Sequence, residues 1–341
     1  PLSPRRLGQV TSGDLDGDGY PDVVASAAPR AGTEPGLAVL WGSADTRFDR
    51  GLTMDVTLFG LAAADLDGER GDELLGLEPS GALGVYRHID GLLRLEHSQT
   101  LGEILFVVEM RTGDTDGDGN IDVMVLVTRA AEDEPWPLEL LELKGLGDGD
   151  LAAPTTRWSG VTLPARGPTP GPGLVVADLD GDGLVDAAMH AGAGPQLTVA
   201  WGGGEVSTLT QRTEALGVGD MDGDGSVELL IREHSESVIV VSMVGRRVTP
   251  VTTHMVGMGS RRLIAAELDG RPPLDLLLDA FSWVNLYVGE PDGTLTSAGS
   301  FQASDVAVVD LDLDGRADVI STGGSRLNEL TIRMTRNGAA P

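Results

Sequence analysis

A short acidic pattern recurs along the chain, and its residue types and spacing are suited to binding a metal ion. In five copies, aspartate occupies positions 1, 3 and 5 of a nine-residue segment, glycine occupies position 6 and a carboxylate occupies position 9. Carboxylates at alternate positions of a tight loop converge on one point, and glycine at position 6 can adopt the positive φ that such a turn needs. Oxygen ligands of this number and charge suit Ca²⁺, which accepts about six to eight oxygens at flexible geometry.

The chain holds seven copies in all, named loops one to seven in chain order, and the five intact copies are loops one, three, four, five and seven. The residue at position 7 differs from copy to copy, as expected if only its backbone carbonyl binds the ion. We expect about five calcium sites. The candidate ligands are Asp14, Asp16, Asp18, Tyr20 and Asp22 in loop one; Asp114, Asp116, Asp118, Asn120 and Asp122 in loop three; Asp178, Asp180, Asp182, Leu184 and Asp186 in loop four; Asp220, Asp222, Asp224, Ser226 and Glu228 in loop five; and Asp310, Asp312, Asp314, Arg316 and Asp318 in loop seven.

Loop two is a degenerate copy of the pattern that keeps most of its carboxylates. It has Arg70 where the intact loops have glycine. A sixth calcium site is possible there, with the ligands Asp65, Asp67, Glu69 and Glu73.

Loop six departs further from the pattern. It has Arg271 in place of a ligand aspartate and Pro272 where the turn needs a positive φ, although proline is locked near about −65°. We expect the Arg271 guanidinium to replace the cation by pairing with Glu267, Asp269 or Asp275.

The loops organise the whole chain into repeats. Their first residues stand at 14, 65, 114, 178, 220, 267 and 310, so the repeat is about fifty residues long. Each unit contains short runs rich in Val and Leu, bounded by Gly, Pro and Asp, which predict strands. Four strands per unit in seven units predict an all-β fold, a seven-bladed β-propeller with four-stranded blades and DxDxDGxxD calcium loops. We expect one domain over residues 1–341, with blades beginning near 6, 57, 105, 173, 213, 261 and 303.

Two other interpretations of the acidic loop are less suitable. An EF-hand needs glutamate at position 12 and flanking helices, whereas position 12 here is Ala25 in loop one and Val125 in loop three, and strands flank the loops. Asp-Gly clusters also form ordinary turns. Five copies that all keep the ninth carboxylate argue against a turn without metal.

The unit resembles the FG-GAP/VCBS-type repeat, the calcium-loop blade of the integrin α-subunit head and of many secreted bacterial and fungal proteins. The resemblance implies that positions 1, 3, 5, 7 (through its carbonyl) and 9 of each intact loop bind Ca²⁺. It also implies that the loop joins the first and second strands of its blade, at one rim of the propeller. It says little about function, because this fold hosts adhesins, lectins and enzymes.

Charge and composition narrow the classes of partner. The chain has 53 acidic and 24 basic residues, a formal net charge of −29, which disfavours nucleic acid and anionic membranes. The apolar runs are too short to span a bilayer. Cysteine is absent, which excludes disulfides and cysteine-ligated metals. We expect an extracellular, cell-surface or periplasmic location.

No catalytic constellation stands out from the sequence. The five histidines share no motif, and neither a Gly-x-Ser-x-Gly elbow nor a P-loop is present. We therefore expect a non-catalytic binding or adhesion module for a glycan or a protein at a cell surface. Two alternatives stay open: a calcium-dependent polysaccharide-active enzyme, lyase or hydrolase, with a carboxylate pair outside the loops, and a purely structural domain of a surface assembly.

The partner is expected at the rim opposite the calcium loops. The longest spacing between loops, 64 residues, separates loops three and four, and its excess lies in two Pro-rich stretches, 129–137 and 158–172. Loops longer than their neighbours often carry function. We expect Trp136 to contact the partner, with Asp133 and Glu134 as polar neighbours, although these loops could equally cap a blade edge. Trp41 and Trp201 recur at equivalent blade positions, which favours core packing for both.

Closure of the ring is the remaining question about the fold. The last unit has no fourth strand of its own before the chain ends. We expect residues 1–4 to lie beside the last blade and to supply that strand.

Overall fold

The chain folds into short antiparallel strands, as the Val- and Leu-rich runs predict. The computed structural model describes residues 9–27, 36–129, 135–162, 172–192, 196–233, 236–257, 260–280, 282–323 and 330–335. Within these residues, six four-stranded sheets and one three-stranded sheet succeed one another along the chain. The prediction of an all-β, seven-bladed propeller is confirmed.

Each blade is an up-and-down sheet whose strands pair in chain order. Blade one contains β1 (Val10–Gly13), β2 (Asp22–Ala27), β3 (Gly36–Leu40) and β4 (Gly51–Met54); blade two contains β5 (Phe59–Ala64), β6 (Glu73–Leu77), β7 (Ala82–Ile89) and β8 (Leu92–Thr100). Blade three contains β9 (Ile104–Gly113), β10 (Asp122–Arg129), β11 (Pro137–Leu143) and β12 (Thr155–Val161); blade four contains β13 (Gly173–Ala177), β14 (Asp186–His190), β15 (Leu197–Ala200) and β16 (Val206–Leu209). Blade five contains β17 (Ala215–Gly219), β18 (Glu228–Arg232), β19 (Ser237–Ser242) and β20 (Thr249–Met255); blade six contains β21 (Arg262–Ala266), β22 (Asp275–Ala280), β23 (Trp283–Gly289) and β24 (Leu295–Gln302); blade seven contains β25 (Asp305–Val309), β26 (Asp318–Thr322) and β27 (Leu330–Arg333).

The two faces of each blade pack against different neighbours. In β10, for example, Val123, Val125 and Val127 belong to the apolar cluster between blades two and three, while Met124 and Leu126 belong to the cluster between blades three and four. Successive side chains of a strand point to opposite faces, so a strand that packs between two neighbouring blades is apolar on both faces over most of its length. This explains why the second strands contain short apolar runs after their first residue, such as residues 123–127 in β10.

The core is a ring of seven apolar clusters, one between each pair of neighbouring blades, including blades seven and one. Trp41 lies in the cluster between blades one and two, and Trp201 in the cluster between blades four and five. Both are buried, so the prediction that they pack in the core is confirmed. The first strands face the axial channel, since a cavity of about 550 Å³ is lined by first-strand residues of all seven blades.

The ring closes between the first and the last blade. The Val10 backbone N–H donates to Asp305 Oδ2 at 3.0 Å, and Val10 packs in one cluster with Leu311 and Ile320 of blade seven. Arg262 of blade six contacts the other carboxylate oxygen of Asp305. The predicted strand from residues 1–4 lies outside the described residues, in which blade seven has three strands.

No helix among the described residues is both long enough and apolar enough to cross a membrane.

Replacing Asp305 tests the closure of the ring. Asparagine has one carbonyl oxygen, so Asp305→Asn cannot keep its hydrogen bonds to both Val10 and Arg262. We expect the free energy of unfolding in urea to fall by about 1–3 kcal/mol. The matched control is Asp55→Asn, at an exposed position between β4 and β5. Equal stability of the two variants would show that Asp305 does not hold the blades together.

Candidate metal centres

All seven acidic loops lie at one rim of the ring. Each loop leaves the first strand of its blade and enters the second, and its position 9 is the first residue of that second strand. Since the strands of a blade are antiparallel, the turns that follow the first strands share one side. This is the placement that the resemblance to known repeats implies.

The carboxylate at position 9 is the most buried group of the loop. Its exposed fraction is between 0 and 2% in all seven blades. One of its oxygens accepts a hydrogen bond from the backbone N–H of position 2 in every loop, at 2.8–3.0 Å. Where position 9 is aspartate, the second oxygen accepts the backbone N–H at or just beyond the end of the third strand, at 2.6–2.9 Å. We call this arrangement the carboxylate latch, because the buried carboxylate joins the loop to the second strand and, where it is aspartate, also to the end of the third strand.

The carboxylates at positions 1 and 5 also shape the loop. In the intact loops, Oδ2 of position 1 accepts the N–H of the position-6 glycine at 2.8–3.0 Å. Oδ1 of position 5 accepts the N–H of position 7 at 2.8–3.0 Å. The position-6 glycines have φ between 87° and 95°, as predicted. These bonds fix the turn and leave further carboxylate oxygens for a ligand.

Carboxylate oxygens converge in the loops closely enough to hold a cation. In each of loops one to five, three acidic side chains place one oxygen each within 4.8 Å of the others. Asp14 Oδ1 is buried and has no hydrogen-bond partner among the described residues. A buried carboxylate oxygen without a donor carries a large desolvation cost, which a bound cation would offset. The donor set is all oxygen, as Ca²⁺ prefers.

The latch carboxylates differ in how well the protein compensates their charge. Burial raises the pKa of Asp22 in loop one and of Glu228 in loop five to about 7. In loop three, burial also acts to raise the pKa of Asp122, but hydrogen bonds from Thr115, Gly145 and Lys144 outweigh it and hold that pKa below its usual value. The carboxylates at position 9 of loops one and five therefore have a greater electrostatic need for a cation than Asp122 of loop three.

Loop two is occupied by a basic side chain from its own blade. Its oxygen group consists of Asp65, Asp67 and Glu73, while Glu69 is exposed. Arg87 of β7 contacts Asp67 Oδ2 through Nη2 and donates from Nε to Glu73 Oε1 at 3.0 Å. Nothing in the spacing of the loop signals this partner, which comes from the third strand.

The predicted ion pairs of Arg271 in loop six are wrong. Arg271 is exposed and forms no ion pair with the loop carboxylates in the described part of the chain. Its backbone N–H donates to Glu267 Oε1 at 3.0 Å, and the turn takes its positive φ at Gly270, at position 4. An exposed guanidinium stays hydrated and gains little from pairing, so the backbone N–H, not the charge, serves the loop.

Comparison with known proteins agrees with this geometry. Residues 8–41, which contain loop one and the described first three strands of blade one, match the FG-GAP repeat family model. A chain of the crystal structure of BBS1N in complex with ARL6DN, soaked with lead, is similar over 100% of this chain and 94% of its own length, with a TM-score of 0.63 and 13% identity. At this identity the similarity shows the fold alone. No curated protein matches the chain significantly.

The rim of the propeller opposite the acidic loops carries the predicted contact residue, Trp136, and a second tryptophan, Trp283. Trp136 is half-buried, and its backbone exchanges hydrogen bonds with Thr162, Trp136 N–H to Oγ1 at 3.0 Å and Thr162 N–H to C=O at 2.7 Å. Trp283, directly after the turn between β22 and β23, is 47% exposed at the same rim. The sequence gives no strong reason to rank Trp283 above Trp136. Asp133, Glu134 and residues 163–171 lie outside the described residues.

Loop six allows the carboxylate latch to be tested apart from metal binding, because it lacks the ligand at position 5. In Asp275→Asn the amide NH₂ would face one of the two backbone N–H groups, of Leu268 and Gly289, that Asp275 now accepts. We expect a loss of about 1–3 kcal/mol in the free energy of unfolding, equal with and without calcium.

Asp292→Asn in the exposed turn of the same blade is the control, since asparagine can also accept the Thr294 hydrogen bonds there. The latch would be contradicted if Asp275→Asn unfolded at the same urea concentration as this control.

Proposed function

We propose that this protein is a calcium-binding, non-catalytic binding module that presents the rim opposite its acidic loops to a partner outside the cytoplasm. The observation that carries the proposal is the convergence of carboxylate oxygens in successive loops at one rim. Each loop pins the first two strands of its blade. A cation bound there would act as a cross-link in a chain without cysteine.

Calcium is favoured over other cations by ligand chemistry. The oxygen groups consist of carboxylates, and the intact loops contain neither histidine nor cysteine. About five bound Ca²⁺ ions would also reduce the formal net charge of −29 and so ease repulsion among the loops. We propose an extracellular, cell-surface or periplasmic location, where free calcium is high enough to fill such loops.

The partner is proposed to be a protein or a glycan at a cell surface. Trp283 offers an exposed aromatic face, and Trp136 joins the two long connections of blade three at the same rim. Tryptophan combines a large apolar ring with a hydrogen-bonding N–H, so it can contact both protein and sugar surfaces. The BBS1N structure, whose fold is similar, holds a complex with the protein ARL6DN. Asp133 and Glu134 stay proposed as polar neighbours of Trp136.

Calcium removal should destabilise the protein strongly. At calcium concentrations about ten times Kd, each site contributes about 1.4 kcal/mol, so that five sites would contribute about 7 kcal/mol. This is comparable with the whole stability of a typical domain, about 5–15 kcal/mol. Melting in excess EDTA after exhaustive dialysis should therefore occur many degrees below melting in calcium. The same melting temperature in both would refute structural calcium, and magnesium in place of calcium is the control for ionic strength.

Loss of the exposed tryptophan should weaken binding without weakening the fold. We expect Trp283→Ala to lower the affinity for glycans or surface proteins at least about tenfold, because an aromatic side chain that becomes buried in a complex often contributes this much to binding. Trp136→Ala should lower the affinity less. Binding is measured on a glycan array and a polysaccharide panel, with and without calcium. Leu146→Ala, an exposed apolar residue in the β11–β12 turn, is the control at the other rim. Full binding by both tryptophan variants would move the site elsewhere.

A further inference from the structure

The acidic loops are not equivalent, because basic side chains of the protein reach some of them. The same atom is contacted in loops two, three and four: Oδ2 of the aspartate at position 3. Oδ1 of that aspartate accepts the backbone N–H of position 5 in each of these loops, so Oδ2 is the oxygen left to bind a cation.

Each of these basic residues comes from a different place in the fold. Arg87 lies on the third strand of blade two and contacts Asp67 and Glu73 of loop two. Lys144 follows the third strand of blade three, and its Nζ lies 2.9 Å from Asp116 Oδ2 and 3.0 Å from Asp122 Oδ2 in loop three.

Arg246 reaches loop four from the neighbouring blade. It lies in the β19–β20 turn of blade five, and its Nε donates to Asp180 Oδ2 at 2.7 Å. Its Nη1 donates to Glu205 Oε2 at 2.6 Å, and the guanidinium stacks over the Trp201 ring at 5.2 Å. These contacts hold the arginine over loop four.

The other intact loops lack such a partner at position 3. In the described part of the chain, Asp16, Asp222 and Asp312 form no ion pair with a basic side chain. In loop seven, Arg316 contacts Asp314 at position 5 instead.

We propose that Arg87, Lys144 and Arg246 act as built-in cations that grade calcium affinity among the loops. Loops one and five bind calcium most tightly, loops three, four and seven bind it more weakly because the ion must displace a basic side chain (Arg316 in loop seven), and loop two binds none while Arg87 is present. The physical reason is charge: an ammonium or guanidinium about 3 Å from the ligand oxygen repels a divalent ion and occupies its place. This inference rests on the proposed calcium function.

Calcium titration calorimetry on the metal-free full chain tests the gradation. Arg87→Met removes the built-in cation of loop two and should add one calcium site to the number found in the wild type. Lys144→Met should convert one weak site into a site roughly tenfold tighter. Arg94→Met, an exposed arginine on β8 that contacts no acidic loop, is the matched control and should leave both number and affinity unchanged.

A second measurement needs no variant, since Lys144 is the only lysine of the chain. Calcium entering loop three must release its ammonium, so acetylation of Lys144, followed by peptide mass spectrometry, should become severalfold faster when calcium is added. The inference is overturned if the wild type binds calcium but Arg87→Met gains no site, or if Lys144 reacts at one rate with and without calcium. A wild type that binds no calcium would instead refute the proposed function from which the inference starts.

Discussion

The blades depend on one buried carboxylate each. A charged group that is 0–2% exposed is costly to bury, yet every blade begins its second strand with one. The hydrogen bonds of the carboxylate latch explain why: the carboxylate satisfies the N–H of position 2 and, as aspartate, a second N–H at the end of the third strand. These N–H groups lie where the turns leave the sheet and have no ladder partner. The carboxylate at position 9 therefore stabilises the blade whether or not the loop binds a metal ion.

The negative charge of the seven buried carboxylates must be compensated, and the loops differ in which groups compensate it. In loop three the ammonium of Lys144 contacts Asp122, and in loop two the guanidinium of Arg87 contacts Glu73. In loops one and five the carboxylates form no ion pair with a basic side chain among the described residues, and burial raises the pKa of Asp22 and Glu228. Calcium is the proposed answer there. Under the proposed function, the net charge of −29 reflects loops built to bind cations, some of which are basic side chains of the chain itself.

The sequence predicts whatever is local and repeated. The spacing of the acidic loops, the apolar second strands and the positive φ of the position-6 glycines are all set within one blade, and the structure confirms them. The sequence does not predict contacts between residues that are far apart along the chain. Arg87 is twenty residues from Asp67, and Arg246 is 66 residues from Asp180. Arg271 shows the converse error, because a basic residue inside the loop points its charge to solvent while its backbone completes the turn. Exposure of Trp283 likewise depends on packing that periodicity does not report.

The account makes cation binding a property of individual loops, and the most direct test is to locate the ions. Crystals grown in calcium, measured at a wavelength where calcium scatters anomalously, would show each site separately. Strong anomalous peaks in loops one and five, with none in loops two and six, are the predicted result. A peak in loop two beside Arg87, or empty loops one and five in saturating calcium, would contradict the account.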